Sequence, residues 1–533
     1  MINYKDDRPY PLTVTGIKHF GQEEWLEKFT PILPGSVYQE IYTRLASLYA
    51  DLACEYEAKN PILHHALLAY YKTPATLANG CYYHLCFKKL QEHGIRRIFI
   101  REEMDVEQAL AFIRRPDFLL DNIPHPIPLH RSVLERLRSV KINIRHHNLI
   151  QSLFSPLQKH CVMTDLENHA IQEYMTQNGI SPISIRVAQF LPSRKNAEKR
   201  DKAVDDMVSS FFNATTSQLP ETEDFLDCDM EALFSNAFQL IAATLSHFMR
   251  IIPENPPNPL FLESLHAPDA RLFASAWKLK GGKITGFTHG NAFLYSTYKA
   301  GNSNNGAFSL CDKLIFSSSG EKLISRHDTH SPSFFSYKGE AETMMSSYNR
   351  DFIRNAGNTA KTPSAIRNIM VIGCASSWRQ VPGLTDQDSI SCIHLAIRMM
   401  KTLKKAEYHV IYKDHPDTLW ETKGFYDDIA DEIITDDFQQ TYEKADCFLF
   451  PNIYSTTFGF AVMTKIPIVY AYKKEESDYW EPSIKKALDK RAVELPLTSD
   501  NNGILLFDEK LLLEAVERSP RFLDDTIVEK YAY

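Results

Sequence analysis

No run of about 18 uninterrupted apolar residues occurs in this 533-residue chain, so a membrane-spanning helix is not expected. The richest apolar stretch, Ala237 to Ile252, is broken by Gln239, Ser246, His247 and Arg250 and reads as a buried helix. The opening residues Met1 to Pro9 lack the apolar core of a secretory signal, which gives a cytoplasmic expectation. Nine cysteines are scattered without a C-x-x-C pair or metal-ligand spacing. That excludes a zinc finger or disulfide framework and fits a reducing compartment. Positive charge is not in excess: 59 Lys and Arg against 67 Asp and Glu leave a net charge of −8, with no general attraction for nucleic acid.

What is present is an alternation of apolar runs and amphipathic stretches long enough for several folding units. Residues 1–92 are expected to form a helical N-terminal segment, with Val37, Tyr38, Ile41, Tyr42, Leu45, Leu48, Tyr49 and Leu52 at helical spacing. Core packing of this aromatic stripe is the stronger reading, and a ligand or partner groove the other. Residues 93–330 then alternate strand and helix, starting at Arg97–Ile100 and continuing through Cys161–Met163, Ile183–Val187, Pro259–Leu262, Lys283–Thr288 and Lys313–Phe316. A polar insertion is expected at 192–229. Residues 331–366, rich in Ser, Asn, Thr and Gly, mark an interdomain connection. A second alternating series fills 367–533. The resulting fold class is α/β, two Rossmann-like domains facing across a cleft.

In open α/β sheets ligands bind beyond the carboxyl ends of the strands. Those positions in the second series are polar: Ser376, Ser377 and Arg379 after one strand, Lys413, His415 and Pro416 after the next, then Asn452, Tyr454, Ser455, Thr456 and Thr457. Hydroxyls at a helix start can cap the helix or, beside its unpaired N–H groups, bind a phosphate. Pro416 holds His415 in extended backbone, a rigid presentation suited to an anion. Together these residues make one candidate nucleotide pocket.

Lys413-Asp414-His415-Pro416, Glu443-Lys444-Ala445-Asp446, Tyr454 to Ala461 and Pro467-Ile468-Val469-Tyr470 resemble the C-terminal half of GT-B glycosyltransferases. The similarity is greatest to bacterial enzymes using CMP-activated acidic sugars, the sialyltransferases and the Kdo transferases of capsule synthesis. CDP-glycerol glycerophosphotransferases share the layout. It covers roughly residues 260–475, and Thr288-His289-Gly290-Asn291 resembles a His-Gly step in such enzymes. The resemblance implies nucleotide contacts from the His-Pro and Ser/Thr motifs. It also implies an inverting transfer from a CMP-linked donor to a surface carbohydrate. The two acidic residues followed by glycine that mark the bacterial sialyltransferases are absent, which leaves the general base unassigned.

By chemistry that base is a carboxylate or imidazole of the first domain within reach of an acceptor hydroxyl. Glu102, Glu103, Asp165, Glu263, His266 and His289 lie at expected strand ends, with His289, Asp165 and Glu263 foremost. His289 could instead hold the turn at Gly290, and Asp165 could serve a helix N-terminus. Asp227-Cys228-Asp229 has the Asp-x-Asp form of metal-dependent transferases, but before a helix it reads as a cap. No cofactor and no catalytic metal are expected. The expected partners are a nucleotide-sugar donor and a glycan or glycoconjugate acceptor, with peripheral attachment at the inner membrane left open. The alternatives are a CDP-glycerol-type glycerophosphotransferase and a non-catalytic scaffold of the same fold.

Overall fold

The computed structural model describes residues 9–100, 102–115, 159–163, 169–185, 187, 191, 200–263, 268–288, 309–327, 339–359, 365–373, 389–416, 419–453, 455–473 and 480–532. A small sheet joins β1 (Tyr10–Pro11), β2 (Arg97–Phe99) and β3 (Glu103–Asp105). A six-stranded parallel sheet contains β4 (Lys159–Met163), β5 (Ile180–Ser184), β6 (Leu260–Glu263), β7 (Ile284–Phe287), β8 (Lys313–Phe316) and β9 (Glu340–Thr343), in the order β5-β4-β6-β7-β8-β9.

The third sheet contains β10 (Asn368–Ile372), β11 (His409–Lys413), β12 (Glu432–Ile434), β13 (Cys447–Phe450), β14 (Ile468–Lys473), β15 (Val493–Ser499) and β16 (Leu505–Leu506). Its order is β12-β11-β10-β13-β14-β15-β16, parallel except for β16. Counted from β10 this is 3-2-1-4-5-6, the doubly wound order, with its reversal between β10 and β13. Strands buried on both faces need apolar residues at every position. In β10, Ile369 and Val371 pack on one side while Met370 and Ile372 pack on the other. The α/β class with two Rossmann-like sheets is thus present.

Three expectations change. Arg97–Ile100 belongs to the small sheet and not to the six-stranded one. The stretch 192–229, expected as a polar insertion, contains a helix at Lys202–Gln218 whose Val204, Met207, Val208, Phe211 and Phe212 are buried with Phe234 and Phe238. An amphipathic helix is polar over half its surface, so its composition hid a core-facing stripe. The expected connection at 331–366 supplies strand β9 and the helix Ser347–Thr359, whose Phe352 and Ala356 pack with β10 and β13.

The expected helical segment 1–92 contributes to two cores. Tyr38, Tyr42 and Tyr49 lie in the core of the first large sheet, as the packing reading of the stripe requires. Val14, Ile17, Phe20, Trp25 and Phe29, from the helices Val14–Phe20 and Gln22–Lys28 and the residue after them, pack instead with β10, β11 and β13. The chain end crosses the other way: Ile527, Val528 and Ala532 share a core with Ile324 of the helix Ser319–His327, and Ser319 Oγ donates to the Lys530 carbonyl at 2.7 Å.

The buried helix expected at Ala237–Ile252 is the second half of Cys228–Ile251, capped by Asp227, whose carboxylate accepts the Met230 N–H at 3.1 Å. Asp227 also pairs with Arg114 at 2.8 Å, so the Asp-x-Asp tripeptide serves as a cap. Burial pushes the thiols of Cys81, Cys161, Cys311 and Cys447 up to about 12, which makes them small hydrophobes at neutral pH. Among the described residues no helix is long and apolar enough to cross a membrane.

Two buried histidines and the half-buried His65 give the fold a pH dependence. Burial lowers His65 to about 3 and His84 and His394 to about 4, from an unfolded value of about 6.5. Between those values the unfolded chain binds protons that the native state refuses. Their contribution is therefore intact above pH 6.5 and lost as pH falls towards 4. His394 sits between Trp25 and Phe29, with ring nitrogen Nε2 3.2 Å from the Leu26 carbonyl. The melting temperature should fall steadily between pH 6.5 and pH 4.5, and replacing His394 by Gln should flatten that fall. An identical decline in the variant would assign the effect elsewhere.

Candidate functional site

In the second large sheet, His415 and Ser455 to Thr457 follow the two strands that flank β10, where strand order reverses. β11, β10 and β13 are adjacent, so the exits of β11 and β13 lie two strand spacings apart, roughly 10 Å. β10 ends at Ile372 and Gly373, where the Gly373 N–H donates to the Lys413 carbonyl at 2.9 Å. Ser376, Ser377 and Arg379, which follow, lie outside the described residues.

At the exit of β11, His415 is half-buried and Pro416 exposed. Lys413 is only 6% exposed, its ammonium donating to the Asp414 carbonyl at 2.8 Å, and burial lowers its pKa. The expected phosphate contact from Lys413 would require that bond to open. The buried Asp414 carboxylate accepts the His415 N–H at 2.9 Å and the Thr422 hydroxyl.

At the exit of β13, Asn452 is half-buried, with its amide 3.6 Å from Cys392 Sγ, and Tyr454 lies outside the described residues. Ser455 is the N-cap residue of the helix Thr456–Val462, with extended backbone at φ −146° and ψ 152°. Its hydroxyl makes no capping bond to that helix, and its buried oxygen has no hydrogen-bond partner among the described residues. The simple capping role is therefore not exercised. Thr456 and Thr457, half-buried, occupy the first turn. A buried hydroxyl beside unpaired N–H groups is suited to receive an anion.

The first large sheet also reverses its order, between β4 and β6. β4, β6 and β7 are neighbours, ending at Met163, Glu263 and Phe287. Glu263 is the last residue of β6; Asp165, two residues beyond β4, and His289, two beyond β7, lie outside the described residues, as does His266. Glu102 and Glu103 lie instead at the small sheet, Glu103 paired with Arg97. Of these three candidates, then, only the backbone of Glu263 lies among the described residues, at the end of β6 between β4 and β7.

Sequence reasoning missed Glu321 at the same end of this sheet. This carboxylate, 7% exposed, accepts the Thr288 hydroxyl at 2.6 Å and the Ser317 hydroxyl at 2.8 Å, tying the exit of β7 to the exit of β8. Its signal was legible in Ser318-x-x-Glu321, a capping-box pattern, and Ser318 Oγ accepts the Glu321 N–H at 3.1 Å.

The chain matches no protein-family model and no curated protein. Solved structures similar to it include Arabidopsis thaliana UGT89C1, at 12% identity over 71% of this chain and 86% of that one, with a TM-score of 0.34. Another is a UDP-glucosyltransferase from Polygonum tinctorium capable of glucosylating indoxyl, at 8% identity over 68% and 90% of the two chains, with a TM-score of 0.28. Likeness at that level says nothing of chemistry, and the fold stands on the chain's own strand order.

Proposed function

We propose that this protein is an inverting glycosyltransferase of GT-B architecture, moving an acidic sugar such as Kdo or a nonulosonic acid from a CMP-linked donor to a surface-carbohydrate acceptor. The observation that carries the reading is the placement of His415 and Ser455–Thr457 on either side of β10 at the reversal of a 3-2-1-4-5-6 sheet, where the Ser455 hydroxyl is buried with no hydrogen-bond partner among the described residues. The nucleotide phosphate would lie against the helix Thr456–Val462, with His415 and the hydroxyls stabilising it as it leaves. One of Asp165, Glu263 and His289 would deprotonate the acceptor, giving single displacement and inversion. The motif resemblance supports a cytidine donor, and CDP-glycerol chemistry is the competing outcome.

Calorimetric titration with CMP, CDP and UDP tests the site. His415→Ala and Ser455→Ala should each weaken binding of the preferred nucleotide by about 1.5–3 kcal/mol, the range for hydrogen bonds to charged groups, while the fold persists. If both variants bind every nucleotide as the parent does, the site is misplaced; if the parent binds none, the scaffold alternative stands.

The proposed phosphate site relies on hydroxyls, helix N–H groups and His415, rather than on carboxylates around a divalent cation, to neutralise the leaving phosphate. Transfer activity should therefore survive EDTA. Complete loss on chelation, restored by Mg²⁺ or Mn²⁺, would overturn the metal-independent mechanism.

A further inference from the structure

We infer that Asp414 is a positioning residue for His415 and that the N-terminal helix Val14–Phe20 braces the same loop through Lys18. The inference rests on the nucleotide-site reading above and adds to it the residues that hold the site in shape. A carboxylate beside an anion site would repel the ligand if it faced it. The polar groups of Asp414 are instead engaged by protein. One carboxylate oxygen accepts the His415 N–H at 2.9 Å and the other accepts the Thr422 hydroxyl. Its N–H donates to the Ile434 carbonyl at 2.9 Å, and its carbonyl accepts the Lys413 ammonium at 2.8 Å. Lys413 thereby holds a positive charge near the buried Asp414 carboxylate and offsets part of its negative charge.

The support extends outward. Thr422 closes the one-turn helix Leu419–Thr422, whose end is held by Lys18: its ammonium donates to the carbonyls of Glu421 at 2.9 Å and Lys423 at 2.6 Å. Gln22 adds a bond from its side-chain amide to the Phe425 carbonyl at 3.2 Å. Lys18 is anchored because its helix buries Val14, Ile17 and Phe20 in the core beneath β10 and β11. A cation at a helix C-terminus complements the carbonyl end of the dipole. The loop that presents His415 is therefore fixed from its own strand by Asp414 and from about 400 residues away by Lys18.

A double-mutant cycle on the intact chain, read by CMP affinity, tests this. Asp414→Ala should weaken CMP binding about tenfold or more, the scale of a lost charge-assisted bond. In the His415→Ala background the same change should add nothing, because Asp414 acts through His415. Asp414→Asn keeps an acceptor for the His415 N–H and should recover most of the affinity. Thr422→Val should give a smaller loss that likewise vanishes without His415, and it carries the comparison if Asp414→Ala does not fold. An additive double mutant, or an Asn variant as weak as Ala, overturns the positioning role and leaves the nucleotide site standing. Unchanged CMP affinity in His415→Ala alone overturns the site reading and this inference with it.

Discussion

Arg491→Met should cost about 3–5 kcal/mol of stability, the scale of a buried charged network losing its donor groups. Arg491 is 0% exposed and lies at the end of the helix that begins with Thr456. Its guanidinium donates to the carbonyls of Val462 at 3.1 Å, Ala461 at 3.3 Å, Thr464 at 2.7 Å and Ile466 at 2.9 Å. Burial lowers its pKa to about 10, yet it stays charged at neutral pH. Methionine fills similar space but donates to none of these carbonyls; that of Ala461 keeps the Thr464 hydroxyl and N–H, while those of Val462, Thr464 and Ile466 lose the guanidinium in a buried setting. Because the other end of that helix carries Ser455, the loss should also weaken CMP binding. Urea unfolding gives the stability change, and an unmoved midpoint would show that the carbonyls find other donors. Arg491→Lys, with charge but no fork, should fall between the two.

Gly373→Ala should destabilise by about 1–3 kcal/mol and disturb the nucleotide site in the same step. A Cβ there would stand 2.4 Å from Tyr412 Oη and 2.9 Å from the Lys413 carbonyl. Neither can retreat cheaply: Tyr412 is 2% exposed and packs on Tyr426 with ring centroids 3.9 Å apart, and the carbonyl accepts the Gly373 N–H itself. The clash would push β10 from β11 just below His415. CMP affinity should fall with stability, and Gly373→Val should be worse on both counts. A Gly373→Ala protein with parental unfolding and parental CMP affinity would mean that the strands have slack here.

Much of the candidate site was legible because each of its parts is a local signal. A parallel strand buried on both faces is a short apolar run, so β10, β11, β13 and β14 announce themselves, and polar residues after them mark the strand exits. His415-Pro416 and Ser455-Thr456-Thr457 needed no more than that. Lys413 is where the local signal misleads. A lysine at a strand exit invites a phosphate contact, yet here its side chain is buried against the Asp414 carbonyl, a contact of i and i+1 that backbone geometry alone decides. Arg491 was passed over because its partners come from another segment, Glu321 because its cap pattern does not disclose the bond to Thr288, and Thr422 because a contact eight residues back has no periodic pattern.

By itself the sequence determined the α/β class, the positions of most strands in both large sheets, the cap at Asp227 and the strand-exit positions of His415, Asn452 and Ser455 to Thr457. All of these follow from hydrophobic period and capping chemistry within a few neighbouring residues. Only the tertiary structure decided that β10 lies between β11 and β13, which is what brings His415 and Ser455 near each other. It alone decided that residues 14–29 complete the core of the second large sheet while Ile527, Val528 and Ala532 pack against the helix Ser319–His327. The physical reason is that an apolar stripe specifies burial but not its partner. Which stripe covers which sheet is settled by fit among distant elements, and the supports of the site, Lys18 at the Glu421 and Lys423 carbonyls and Arg491 at the far end of the helix that Ser455 precedes, come from that fit.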